Sequence, residues 1–133
     1  MRDKPLILIV DDEKSLLEIM SMKLASSGFD PVVAYNAKEA VDAAAKINPD
    51  LILMDIHMPG GETGTDAALE IKQNPATKHI KIAFLSSLKD PWPSTMSERD
   101  KLTKELGIEE FIDKTGDLNM IVSRVKEVLA KPQ

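Results

Sequence analysis

The sequence predicts an α/β domain: one doubly wound, five-stranded parallel sheet with helices on both faces. Three observations carry that prediction. Two unbroken apolar runs, residues 6–10 and 51–54, are bounded by turn residues, the pattern of strands buried on both faces. Strand-like and helix-like segments alternate five times along the chain. The last segment sets Leu118, Ile121, Val122, Val125, Val128 and Leu129 on one helical face.

Taken in order, residues 6–10 run into Asp11-Asp12-Glu13, after which Leu16, Leu17, Met20 and Leu24 recur at helical spacing and Gly28 supplies a stop. Residues 31–35 form a short second strand. Asn36-Ala37-Lys38-Glu39 reads as a helix N-terminus, Asn36 capping and Glu39 reaching back, with Ala40, Val41, Ala44, Ala45 and Ile47 as the inward face and Asn48-Pro49 as the end. The third strand, Leu51-Ile52-Leu53-Met54, delivers Asp55 to its carboxyl end, and a loop rich in small residues follows. A helix over 66–72 turns Ala67, Ala68 and Ile71 inward and stops near Asn74-Pro75. Residues 80–85 make the fourth strand, closing on Ser86-Ser87. A polar helix starting at Ser94 or Ser97 and ending at Leu106, with Gly107 as its stop, is the weakest pattern in the chain. A fifth strand over 110–113 arrives at Lys114.

Composition narrows the function classes. At 133 residues the chain is read as one domain. A net charge of −5 argues against a dedicated nucleic-acid surface, which needs a basic stripe. With no cysteine, neither a disulfide framework nor a thiolate metal site can form. No apolar stretch approaches the roughly 20 residues of a membrane span, and Met1-Arg2-Asp3-Lys4-Pro5 leads into no cleavage site, so a cytoplasmic domain without membrane attachment is expected. There is no repeat and no low-complexity tract.

Four strands end in polar groups: Asp11 and Asp12, Asp55, Ser86, and Lys114. In a parallel sheet these ends lie side by side, on the edge where open α/β sheets bind ligands. Two carboxylates about 4 Å apart repel by about 4 kcal/mol at an effective dielectric near 20. Such a cluster persists if a cation neutralises it, if protons are taken up, or if solvent screens it. Hard oxygen donors without His or Cys suit Mg²⁺. A carboxylate nucleophile, a divalent cation, a lysine and a hydroxyl together suit phosphoryl transfer, with Asp55 attacking in line to give an acyl phosphate. Each residue also has an ordinary reading. Asp11 and Asp12 can cap the first helix, Asp55 can bond its own turn, and Ser86 and Lys114 can be solvated loop residues.

The set of motifs resembles the receiver domain of two-component response regulators over essentially the whole chain, 1–133. The matching residues are the Asp11-Asp12 pair, the Leu53-Met54-Asp55-Ile56-His57-Met58-Pro59-Gly60 turn, Ser86 and Lys114. The resemblance implies a flavodoxin-like sheet of strand order 2-1-3-4-5. It implies that Asp55 accepts a phosphoryl group from a sensor histidine kinase or a histidine phosphotransfer protein. Mg²⁺ would be held by Asp12, Asp55 and the backbone carbonyl of His57, with Asp11 helping through water. Ser86 and Phe111 would form the switch, and the last two strands with the helix between them the output face. The ordinary reading of Phe111 is core packing.

The chain departs from the family pattern in four places. Thr115 stands where proline is usual, Ser87 where alanine or glycine is favoured, and the loop over 59–64 is one residue longer. Residues 88–98 are extended around Trp92, between Pro91 and Pro93; this segment is either a partner-binding element or a lid over apolar surface. His57 is expected to tune phosphoryl lifetime through its side chain, and His79 to be a surface residue. Three other classes compete. A phosphohydrolase would want a second carboxylate where His57 stands, and a mononucleotide binder a phosphate loop where Asp11-Asp12-Glu13 would repel one. A receiver-like adaptor would bind a partner without phosphorylation. The resemblance leaves the output protein or output domain unspecified and homodimerisation open. It predicts self-catalysed phosphorylation and dephosphorylation of Asp55, with no separate substrate turned over.

Overall fold

The computed structural model of the chain describes residues 3–56, 64–86, 107–113 and 116–131. Five strands, β1 Leu6–Val10, β2 Asp30–Ala34, β3 Leu51–Asp55, β4 Lys81–Ser86 and β5 Ile108–Asp113, form one sheet in the order β2-β1-β3-β4-β5, every neighbouring pair parallel. Four helices are described: α1 Lys14–Ser26, α2 Ala37–Ile47, α3 Gly64–Gln73 and α4 Leu118–Ala130. The predicted fold class and strand order are therefore those observed. The helix expected to end at Leu106 and the extended segment around Trp92 lie outside the described residues.

Strand alternation divides the core in two. Leu8, Val10, Ile52, Met54, Ile82 and Phe84 face α2 and α3, packing on Ala40, Ala44, Ala67, Ala68 and Ile71. Ile7, Ile9, Leu51, Leu53, Ala83 and Leu85 face α1 and α4, packing on Leu17, Met20, Leu24, Ile121, Val125 and Val128. Every residue of β1 and β3 is buried, which is why those runs show no polar alternation.

The helix ends follow local chemistry. Past α1, Gly28 sits at φ +97°; its N–H reaches Ala25 O at 3.3 Å, and the Phe29 N–H reaches Leu24 O at 3.0 Å. This is a Schellman stop, and Phe29 and Leu24 are both buried in the core cluster on that side of the sheet. At α2, Asn36 Oδ1 accepts from the Glu39 N–H at 2.9 Å, while Glu39 Oε1 accepts from the Tyr35 N–H at 2.9 Å, a capping box whose return bond falls one residue early. Asn48 ends α2 in the left-handed region at φ 49°.

Edge strand β2 is blunted. The Asp30 N–H and the Ala34 carbonyl both point toward β1, so alternation turns 31, 33 and 35 outward; Pro31 has no donor there, and the Tyr35 N–H is taken by Glu39.

Two expectations need correction. Ala45 is exposed, because the buried stripe of α2 is Ala37, Ala40 and Ala44, and one further residue rotates 100° away from it. β5 begins at Ile108, two residues earlier than expected: Ile82 pairs with Ile108 but Ala83 with Glu110, and the bulge between them absorbs one residue.

Candidate functional site

The sheet topology dictates what meets at its carboxyl edge. The chain leaves β1 for β2 on one side and later returns to β3 on the other, so the crevice between β1 and β3 is the switch point where such sheets bind ligands. Val10 pairs with Met54, which brings Asp11 and Asp55, the next residue of each segment, side by side. Asp11 is fully buried; its backbone N–H donates to Ala34 O at 3.2 Å and its Oδ1 accepts from the Glu13 N–H at 3.0 Å. That last bond turns the chain into α1, whose N-cap, Glu13, makes no side-chain cap bond. Of the predicted acidic pair, Asp11 thus shapes the entry to the helix without being its cap, and Asp12 is exposed.

Asp55, the last residue of β3, is 2% exposed and pairs with Leu85 of β4. One carboxylate oxygen from each of Asp11, Asp12 and Asp55 lies within 4.8 Å of the others. Two nearly inaccessible carboxylates and one exposed carboxylate present hard oxygen donors to one point, and the set fits a hard divalent cation with room for water on the Asp12 side. The cluster could hold a metal ion.

The remaining predicted residues fall around Asp55 as follows. Ser86 closes β4, one residue past the partner of Asp55, and pairs in register with Asp113 of β5. Lys114 follows Asp113 in the sequence and, like His57, Ser87, Trp92 and Thr115, lies outside the described residues. Phe111 is partly buried against the α2 and α3 side of the core, directly opposite Phe84, with ring centroids 5.7 Å apart at 51°. Phe84 was not singled out by the sequence, since a strand-centre phenylalanine carries no sign of its cross-strand partner. His79 is exposed, Nε2 sitting 2.7 Å from Asn48 Oδ1.

Gly64 was also missed. It opens α3, and its N–H donates to Ile56 O at 2.9 Å, closing the loop that leaves β3. The only signal in the sequence was the loop's richness in small residues.

Among the described residues no helix is long and apolar enough to cross a membrane. The sequence matches the family described as response regulator receiver domain over residues 7–126. The fold is similar to the signal receiver domain of a signal transduction histidine kinase from Syntrophus aciditrophicus, at 30% identity and TM-score 0.77, covering 95% of this chain and 90% of that one. It is similar to the N-terminal domain of a response regulator receiver protein from Methanoculleus marisnigri, at 28% identity and TM-score 0.75, covering 96% and 98%. The chemotaxis protein CheY4 of Vibrio cholerae shares the fold at 23% identity and TM-score 0.81, covering 94% and 98%. With the family matched over nearly its whole length and an acidic cluster at the switch point that fits a phosphoacceptor role in two-component signalling, the chain belongs to the response regulator receiver domains.

Proposed function

We propose that this chain works as a single receiver domain, residues 1–133, in which Asp55 takes a phosphoryl group from a sensor histidine kinase or a histidine phosphotransfer protein and thereby switches an output face. The observation that carries the reading is the gathering of the Asp11, Asp12 and Asp55 carboxylates within 4.8 Å, with Asp55 at the end of the strand beside the switch point. Asp11, Asp12 and Asp55, with the carbonyl of His57, would hold Mg²⁺. The bound cation would neutralise the cluster and the equatorial oxygens of the transferring group.

The chain's own groups supply the rest. A carboxylate oxygen of Asp55 attacks phosphorus in line, the bond to the donor's leaving group breaks, and an acyl phosphate forms. The stiff, fully buried β3 holds that oxygen in place, so little orientation is left to be gained during reaction. Lys114 and Ser86, following and closing the neighbouring strands, are assigned to the phosphoryl oxygens as cation and hydroxyl donor. Phe111, packed on Phe84, is assigned to the switch: added acceptor oxygens at Asp55 would favour one arrangement of Ser86, and the aromatic pair on β4 and β5 is assigned to carry that choice to the output face. The net charge of −5 supports a protein partner over nucleic acid, and the absence of cysteine agrees with the cytoplasm.

The test is intact-protein mass after incubation with acetyl phosphate and Mg²⁺, on wild type and Asp55→Asn. One phosphoryl adduct on wild type, absent from the variant and from samples with EDTA, is expected. No adduct on wild type, even from a phosphorylated histidine donor, would replace this reading with that of an adaptor that binds its partner without phosphorylation.

A further inference from the structure

The glycine that opens α3 occupies a position no other residue fits. A Cβ built on Gly64 would lie 2.0 Å from the carbonyl oxygen of Asp55, 2.9 Å from its carbonyl carbon and 3.0 Å from the Cα of Ile56. All three atoms are backbone, so no side chain can rotate away to make room. The φ of Gly64 is not positive, and torsional freedom is therefore not what demands glycine here. Space is. The first turn of α3 rests directly on the peptide that carries Asp55, and the Gly64 N–H fastens it there through Ile56 O at 2.9 Å.

From this contact we infer that Gly64 is a positioning residue for the Asp55 carboxylate: it lets α3 seat on the end of β3 and so fixes the direction in which Asp55 leaves the sheet. This inference rests on Asp55 being the reacting carboxylate. Even a methyl group at position 64 must push helix and strand end apart by about 1 Å, since real Cβ contacts essentially never fall below 3.0 Å. The core side chains of α3, Ala67, Ala68 and Ile71, are buried and oppose movement of the helix as a whole. The displacement then falls on the Asp55–Ile56 peptide. A misplacement of about 1 Å at a reacting group costs on the order of 100-fold in rate. It also spoils the convergence of the three carboxylates on one cation.

The experiment compares wild type, Gly64→Ala and Ala67→Gly, each folded by circular dichroism and assayed well below its unfolding midpoint. Ala67→Gly weakens the same helix one turn further on without adding an atom near Asp55. Mn²⁺ affinity is measured by calorimetry, and the initial rate of phosphorylation by acetyl phosphate at saturating Mg²⁺. Gly64→Ala is expected to weaken Mn²⁺ binding and to slow phosphorylation by about 100-fold even at saturating metal, with Ala67→Gly leaving both unchanged. A folded Gly64→Ala that binds and reacts as wild type does overturns the inference. So does an equal loss in Ala67→Gly, which would make the effect one of helix stability.

If wild type binds Mn²⁺ but takes no phosphoryl group, the phosphoacceptor reading fails and the Mn²⁺ comparison alone decides the role of Gly64. Wild type that neither binds nor reacts sinks both. Should Gly64→Ala not fold, the wild-type amide resonances decide. Gly64 must then shift with added Mg²⁺ at the same half-saturation as Asp55, and a Gly64 resonance that stays still while Asp55 moves refutes the coupling.

Discussion

Removing the charge of Asp55 should make the metal-free protein more stable. In the folded chain a carboxylate oxygen of Asp55 is within 4.8 Å of one on Asp11, and both residues are almost inaccessible to water. At that separation and an effective dielectric near 20, the pair repels by about 3.5 kcal/mol. Asp12 adds a smaller contribution because it is exposed and screened. In the unfolded chain Asp11 and Asp55 are far apart, so the repulsion belongs to the folded state alone. Asp55→Asn keeps the shape and removes it. After discounting for water in the crevice and for neighbouring polar groups, a gain of about 1 to 3 kcal/mol is expected in EDTA.

Magnesium should narrow the difference. At ten times its dissociation constant it stabilises wild type by about 1.4 kcal/mol, and it should do markedly less for the variant, which has lost one carboxylate of the cluster. Urea unfolding of both proteins in EDTA and in Mg²⁺ reads all four values, with an unchanged slope as the sign that two-state analysis holds. A metal-free Asp55→Asn no more stable than wild type would show that the cluster is already neutralised by other means. Equal stabilisation of both proteins by Mg²⁺ would place the cation elsewhere. Either result refutes the reasoning.

Two further predictions concern stability away from the site. The ammonium of Lys81, a residue only 6% exposed, donates to Val128 O at 2.9 Å, to Leu129 O at 3.4 Å and to Lys131 O, capping the carboxyl end of α4. Lys81→Met should cost about 2 kcal/mol by thermal or urea unfolding, less than the sum of its bonds because a desolvated charge is also removed. Its Mg²⁺ affinity should match wild type, the mutation lying four residues, about 13 Å, down the sheet from the level of Asp55. Gly28→Ala meets no atom within 4 Å but must hold φ +97°, so its expected loss of about 1 to 2 kcal/mol in urea unfolding is purely conformational. A cost below about 0.5 kcal/mol would mean that the stop relaxes.

The sequence was most readable where a residue answers only to its neighbours. Residues 6–10 and 51–54 announce buried strands because any partner on either face must be apolar, and Asn36 with Glu39 announces a helix start because the cap closes within four residues. The convergence of Asp11, Asp12 and Asp55 was readable for a different reason: once five strand–helix units are assumed parallel, the strand ends must share one edge. What escaped depends on contacts across the fold. The early start of β5 comes from a bulge that exists only when β4 is its partner. Ala45 differs from Ala44 by one step of helix rotation, and an alanine-rich run does not show where its stripe is centred. Gly64 is an unremarked glycine in a glycine-rich loop until β3 lies against it. Lys81 would pass for a solvated strand-end lysine, since the carbonyls it caps begin 47 residues later.

These cases show how the sheet separates what it must endure from what holds it. The carboxyl edge carries the burden: buried carboxylates at close range, a helix start without a cap bond, and the first residue of α3 bonded to Ile56 just past β3. The amino edge is tied across the chain. Asp50 Oδ2 accepts from the Leu6 N–H at 2.7 Å while the Asp50 N–H reaches Leu6 O at 2.8 Å, the Asp30 N–H bonds Pro5 O at 2.9 Å, and Lys81 closes α4. Between the two edges run the central strands β1, β3 and β4, buried over residues 6–10, 51–55 and 81–85, so strain at one end is resisted by packing along the strand. A local change of charge at Asp55 is then met by a sheet that does not yield along its length. Its effect must be taken up by the parts at the carboxyl edge, which is the behaviour a phosphorylation-driven switch requires.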